Sequence, residues 1–135
     1  MLIEEFFAKL FGKAVSLARF VEVESHPGSF PNRGLNCQFV RVTNRSINRK
    51  AVLSEAWFEL GVKVPVLNGE RPMPHVLPPE EVWETWLPLG VIPEHLRASA
   101  ANLARVRLSD GTVLSSKPTR NVSEAGFVAG GGRPQ

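Results

Sequence analysis

The sequence has only one cysteine, Cys37, among its 135 residues. A lone cysteine excludes an internal disulfide and a metal cage built from several cysteines, and it suits a reducing compartment. The net charge of +3 is too small to indicate nucleic-acid binding unless the basic residues cluster. The chain also lacks the roughly 18 consecutive uncharged residues of a membrane-spanning helix. Glu4 and Glu5 stand where a secretory signal carries basic residues. We therefore expect a protein without signal peptide or transmembrane helix, cytoplasmic or assembled in a particle.

Patterns that indicate catalysis are missing as well. The three histidines, His26, His75 and His95, are widely spaced and match no metal-binding motif. No serine stands in a Gly-x-Ser-x-Gly setting, and no glycine-rich phosphate loop follows a predicted strand. We therefore predict that the protein is not an enzyme: no catalytic residues, no cofactor, no metal and no small-molecule substrate.

Residues 1–20 have the periodicity of an amphipathic helix. Apolar residues recur at spacings of three and four, with Phe6, Phe7, Leu10 and Phe11 on one stripe. Burying each phenylalanine is worth roughly 1.5–3 kcal/mol, so the stripe needs a partner surface. That surface is the chain's own domain, a second copy, or a membrane. Because the polar side of the helix mixes acids with bases, we favour the first two.

Residues 21–118 read as a β-domain. Alternating apolar and polar residues between turn signals predict short strands. The predicted strands are 21–24, 35–43, 51–60, 61–67, 82–89, 104–108 and 112–116. Residues 26–28 and 31–34 are predicted turns, and Asn68-Gly69 is the strongest hairpin signal. Residues 93–103 are predicted to form a short helix between the late strands. The pattern predicts a single antiparallel β-sandwich of about seven strands, followed by a flexible glycine-rich tail at 119–135.

Three segments of this domain resemble a known group of proteins. They are residues 39–46, residues 56–59, and the Leu-Pro-Pro-Glu corner with the following tryptophan at 77–83. They are similar to segments of small, uncharacterised bacterial and phage proteins with an Ig-like (fibronectin-III-like) domain. The resemblance covers roughly residues 35–117 and implies an Ig-like sandwich and no catalytic residues. In those proteins a membrane helix often precedes the domain, whereas this chain has the amphipathic segment.

One predicted surface carries a tryptophan among charged residues. Glu55, Trp57 and Glu59 alternate on one side of the third predicted strand, and Arg105 and Arg107 alternate on a later strand. In the usual sandwich order the two strands are neighbours. We call these five residues the Trp57 face. They form either a solvated, salt-bridged sheet surface or a partner-binding surface, since Trp and Arg are enriched at interface hot spots.

A second, weaker candidate is the basic turn of Arg41, Arg45, Arg49 and Lys50. A basic loop on a β-domain can contact phosphate groups. No aromatic residues for base stacking are interleaved with these residues, so a solvated turn is the better interpretation.

These observations favour a non-enzymatic protein-interaction or structural module, such as a component of a phage particle or another larger assembly. The expected partner is a protein or a second copy, and nucleic acid is not expected. The alternative is a peripheral membrane-associated accessory protein anchored by its N-terminal helix.

Overall fold

A computed structural model describes residues 16–119 and shows a mainly β protein. Within these residues the strands are β1 (Val21–Phe30), β2 (Leu35–Asn44), β3 (Ala51–Glu59), β4 (Lys63–Pro65), β5 (His75–Leu77), β6 (Val82–Pro88), β7 (Ala104–Leu108), β8 (Val113–Ser115) and β9 (Lys117–Pro118). The 3₁₀ helices are Leu17–Phe20, Pro31–Arg33, Leu89–Val91 and Glu94–Asn102. The predicted helix at 93–103 is therefore confirmed, in 3₁₀ form.

The strands form two sheets. Sheet A has the order β6-β2-β1-β9, and sheet B has the order β4-β3-β7-β8, with β5 also pairing β3. All pairs are antiparallel except β1 with β9. The predicted mainly β, sandwich-like architecture is thus confirmed. The two strands that we did not predict, β5 and β9, have three and two residues, which is too short for an alternating pattern to be visible.

The inner faces of the two sheets supply the hydrophobic core. Val40 and Val42 of sheet A and Leu53, Phe58 and Val106 of sheet B are fully buried in one cluster. Trp83 also faces this core, whereas Trp86, three residues later, lies on the outer surface. The sequence alone predicts this opposite orientation, because an odd spacing along a strand reverses the face.

Two predicted turns are corrected. Residues 26–28 continue β1, which runs to Phe30. Pro27 is tolerated because the odd-numbered residues of β1 direct their backbone groups away from β2, as the bond from Thr119 N to Ser25 O shows. Asn68-Gly69 does not connect a hairpin, because β4 and β5 pair with different parts of β3 and not with each other.

A β-bulge reverses the inner and outer faces that simple alternation predicts for the start of β3. Simple alternation back from Trp57 predicts Leu53 on the outer face and Val52 on the inner face, but Leu53 is fully buried and Val52 is half-buried. The pairing with β7 shifts between Leu53 and Glu55, and the Ser54 hydroxyl donates to Arg107 O at 3.0 Å. The extra residue reverses the alternation, so Trp57 keeps its predicted outer position.

The predicted helix over residues 1–20, including Phe6, Phe7, Leu10 and Phe11, lies outside the described residues except for its last five positions. In that part, Leu17–Phe20 form a 3₁₀ helix, and Leu17 and Ala18 pack against the core. The predicted tail at 119–135 also lies outside the described residues, apart from Thr119.

Candidate interaction surfaces

The Trp57 face lies on the outside of sheet B. Glu55 pairs with Arg107 across the ladder, and Trp57 pairs with Arg105, so the two strands are neighbours as the sequence suggested. Lys63 of β4 joins the group. Its ammonium lies 4.3 Å from the centre of the indole ring, and the Arg107 guanidinium lies 5.1 Å from it. Two cations therefore lie over the indole on the sheet surface.

Ion pairs among the surrounding side chains cover the indole of Trp57. Both Lys63 and Arg107 bond to Glu55, and these bonds hold the pKa of the Glu55 carboxyl below its ordinary value. The Trp57 Nε1 donates to Glu59 at 2.7 Å, and only 4% of Trp57 is exposed. Arg105 donates instead to the backbone oxygens of Asn102 and Ala104. The face is a salt-bridged sheet surface whose tryptophan is already covered.

The outside of sheet A carries a cluster of rings that the sequence analysis did not identify. Phe39 of β2 lies between His26 of β1 and Trp86 of β6 in one cross-strand row. The Phe39 ring centre is 5.3 Å from His26, 5.4 Å from Phe30 and 5.9 Å from Trp86. Phe30 and Trp86 are in edge contact at 4.9 Å. Such ring contacts stabilise the fold by more than the burial of their apolar area alone.

Two arginines lie on these rings. The Arg33 guanidinium is 4.8 Å from the Phe30 ring centre, and that of Arg71 is 5.0 Å from the Trp86 ring centre. Arg33 also forms a two-bond pair with the Glu70 carboxylate, at 3.0 and 3.1 Å. We use the name aromatic face for the set of His26, Phe30, Arg33, Phe39, Arg71 and Trp86. Phe30 and Trp86 are half-buried, so each residue is partly exposed on this surface.

The aromatic face requires a glycine in β1. A Cβ added to Gly28 would lie 2.7 Å from Cε2 of Phe39. The Phe39 ring therefore rests on the backbone of Gly28, which explains a glycine in the middle of a long strand.

His26 links the rings to a carboxylate. Its Nε2 lies 3.5 Å from Glu84, and its Nδ1 is 3.1 Å from the Pro27 carbonyl oxygen. Burial lowers the pKa of His26, but the bonds to Glu84 and Pro27 outweigh burial and the pKa is raised above 6.5. The same bond holds the pKa of Glu84 below its ordinary value. Both His26 and Glu84 are therefore charged in mildly acidic solution.

A cleft of about 370 Å³ opens beside the aromatic face, along β6. His75 stacks on Trp83 at 5.1 Å in its wall, and Val82 and Glu84 of β6 also line it. The segment Glu70–Pro72 forms the opposite wall. The cleft therefore joins the edge of sheet A to the loop that follows β4.

The predicted basic turn is partly neutralised. Arg45 forms an ion pair with Glu22 at 2.9 Å, and Arg41 stands between Glu24 and Glu84 in the register of sheet A. Ser46 caps the turn, since its hydroxyl accepts from the backbone N–H of Arg49 at 2.9 Å.

Within residues 16–119, no three His, Cys, Asp or Glu side chains lie close enough to hold a metal ion. Cys37 is buried in β2, and burial raises the pKa of its thiol. In the same range, no helix combines the length and the apolar character needed to cross a membrane.

No protein-family model, no curated protein and no solved structure matches the chain.

Proposed function

We propose that the chain is a non-enzymatic interaction module, an Ig-like sandwich that binds a protein partner through its aromatic face. The observation that carries this proposal is the cluster of partly exposed Phe30 and Trp86 with an arginine over each ring. Tryptophan and arginine are the residues most enriched at interface hot spots.

The strand order supports the Ig-like part of the proposal. In an immunoglobulin constant-type sandwich, strands A, B and E share one sheet and strands C, F and G share the other. If β1, β2, β3, β6, β7 and β8 correspond to strands A, B, C, E, F and G, the pairs β1–β2, β2–β6, β3–β7 and β7–β8 all follow this order. The short strands β4 and β5 then occupy the edge beside strand C.

How far each tryptophan is covered in the free protein favours the aromatic face, rather than the Trp57 face, as the partner-binding surface. Glu55, Lys63 and Arg107 already satisfy one another around Trp57, so a partner would have to displace ion pairs to reach the indole. Trp86 is more exposed, although Arg71 and Phe30 contact its ring. A ring that is half-buried in the free protein can gain burial on binding, which is the source of hot-spot energy.

Membership of a larger assembly, such as a phage particle, is one form of this proposal. Attachment to a membrane surface stays a separate prediction, since it depends on Phe6, Phe7, Leu10 and Phe11.

The test compares partner capture from the source cells by three proteins. These are the wild-type chain, the variant Trp86→Ala, and the control variant Val113→Ala, which changes an exposed residue of sheet B. We expect Trp86→Ala to lose about 2 kcal/mol of binding energy, roughly a 30-fold weakening, and Val113→Ala to bind normally. Equal binding by all three proteins would contradict the proposal.

A further inference from the structure

Strand β6 has an unusually open edge for a native sheet. Within residues 16–119 it pairs only with β2, so it ends sheet A on that side. The other strands at sheet edges, β4, β5, β8 and β9, have two or three residues each, whereas β6 has seven. Native proteins usually keep edge strands short or interrupt them, because an open edge pairs with other chains.

The backbone groups that β6 presents to this edge can be identified. Asn44 N donates to Glu81 O at 3.0 Å, so the odd-numbered residues of this strand face β2. By alternation, Val82, Glu84 and Trp86 direct their N–H and C=O groups away from sheet A. Among the residues that the structure describes, the Glu84 carbonyl alone has a partner there, the Arg71 Nε at 3.0 Å.

Arg71 occupies the position that a neighbouring strand would take. Its Nε donates to Glu84 O as a strand N–H would, and its Nη1 donates to Glu70 O at 2.9 Å. The guanidinium belongs to an exposed side chain, and a single such hydrogen bond contributes only about 0.5–1.5 kcal/mol. An incoming strand that bonds to Val82, Glu84 and Trp86 would replace one hydrogen bond with several.

The surroundings of the edge indicate the chemistry of such a strand. Glu80 and Glu81 place two exposed carboxylates at the start of β6, and Glu84, which already pairs with His26, adds a third. Of the two arginines of the aromatic face, Arg71 lies at the edge of β6, whereas Arg33 pairs with Glu70. The cleft lined by His75, Val82 and Trp83 offers room for an apolar side chain. Basic residues alternating with apolar ones would therefore complement this edge.

We propose that the free edge of β6 binds an extended basic segment of a partner protein by strand addition. This inference rests on the proposed interaction function and specifies its geometry. The partner's backbone bonds to the outward groups of Val82, Glu84 and Trp86. Its apolar side chains contact Trp86 and enter the cleft, and its basic side chains meet the carboxylates.

The test uses an eight-residue peptide of alternating valine and lysine, with a valine–glutamate peptide as control. Fluorescence anisotropy with the full chain should show binding of the lysine peptide and at least about tenfold weaker binding of the glutamate peptide. Hydrogen exchange of the Val82, Glu84 and Trp86 amides should slow when the lysine peptide is bound. Binding without this protection would be surface charge attraction only and would overturn the proposal.

Proline variants separate strand addition from other contacts. Val82→Pro removes an N–H that points away from β2, so the ladder within sheet A keeps its bonds. We expect it to weaken the peptide about tenfold. The matched control is Val113→Pro. The bond from Leu108 N to Thr112 O shows that Val113 also directs its N–H away from its own sheet, and this variant should bind normally. Equal affinity of both variants, at unchanged melting temperature, would refute strand addition.

Two further arms keep the test decisive. If Val82→Pro does not fold, peptides N-methylated along one edge replace it: methylation of one set of alternate residues should abolish binding to the wild-type chain, and methylation of the other set should not. Light scattering compares the wild-type chain with Val82→Pro. We expect it to show no wild-type dimer that is lost in the variant. Such a dimer would make a second copy the occupant and would overturn the assignment to a partner protein. If the peptide fails while Trp86→Ala still loses its partner, the interaction function stands and strand addition fails.

Discussion

Replacing Asn44 by aspartate is the most informative single change in the fold. Asn44 ends β2 and is fully buried. Its Nδ2 donates to the carbonyl oxygens of Arg49, Leu77 and Pro78 at 2.8, 3.1 and 3.3 Å, and its Oδ1 accepts from Ser46 N at 3.0 Å. One side chain thus ties the end of sheet A to the following turn and to the end of β5.

Asn44→Asp keeps the shape but replaces the donor with an acceptor. The carboxylate would face three carbonyl oxygens at a fully buried position, and leaving a buried charge unpaired costs about 3–5 kcal/mol. That is a large part of the roughly 5–15 kcal/mol that stabilises a domain. Burial and the carbonyls should raise the pKa of Asp at position 44 above its ordinary value of about 3.9. The penalty should therefore be smallest below about pH 4 and should grow as the pH rises through the raised pKa.

Urea unfolding at pH 4 and pH 7 measures this penalty. The control is Asn36→Asp, which adds the same charge at an exposed position of the same strand; its effect should stay within about 0.5 kcal/mol. The reasoning is refuted if Asn44→Asp costs less than about 1 kcal/mol at pH 7, or costs the same at both pH values.

Three further predictions concern other parts of the chain. Gly28→Ala should cost about 1–3 kcal/mol in denaturant unfolding, because its Cβ would meet Phe39 at 2.7 Å; a cost near zero would mean that the ring moves freely. The raised pKa of His26 stabilises the fold below about pH 6.5 and loses this effect as the pH rises through it, while the lowered pKa of Glu84 stabilises above about pH 4.5 and loses this effect as the pH falls. Glu84→Gln should therefore reduce the melting temperature most near pH 5–6, and a difference that is constant with pH would contradict the pair. A chain beginning at Ser16 should differ from the full chain in mass by light scattering if residues 1–15 mediate self-association, and in vesicle binding if they contact a membrane.

Local patterns predicted most of the strands, but not the pairing that creates the aromatic face. Alternation in β2 and β6 was visible, and it correctly placed Trp83 and Trp86 on opposite faces. The row of His26, Phe39 and Trp86 depends on β6 lying beside β2, a contact between residues far apart in sequence. Gly28 was the available signal, since a glycine inside a strand indicates close approach of another group.

Two other errors also had non-local causes. The bulge at Ser54 shifts the alternation of β3, and its sequence contains no glycine to indicate a bulge. The Asn68-Gly69 signal was real as a turn, since Arg71 N bonds to Asn68 O at 2.9 Å. Its flanking strands nevertheless pair with different parts of β3 and not with each other.

Photo-crosslinking in the source cells shows directly whether partners approach the β6 side of sheet A. A photoreactive phenylalanine analogue would replace Val82, which is 48% exposed, or Val113, which is 42% exposed at the edge of sheet B. We expect a discrete crosslinked partner from position 82 and none from position 113. Crosslinking from position 113 alone, or from neither position, would contradict this expectation.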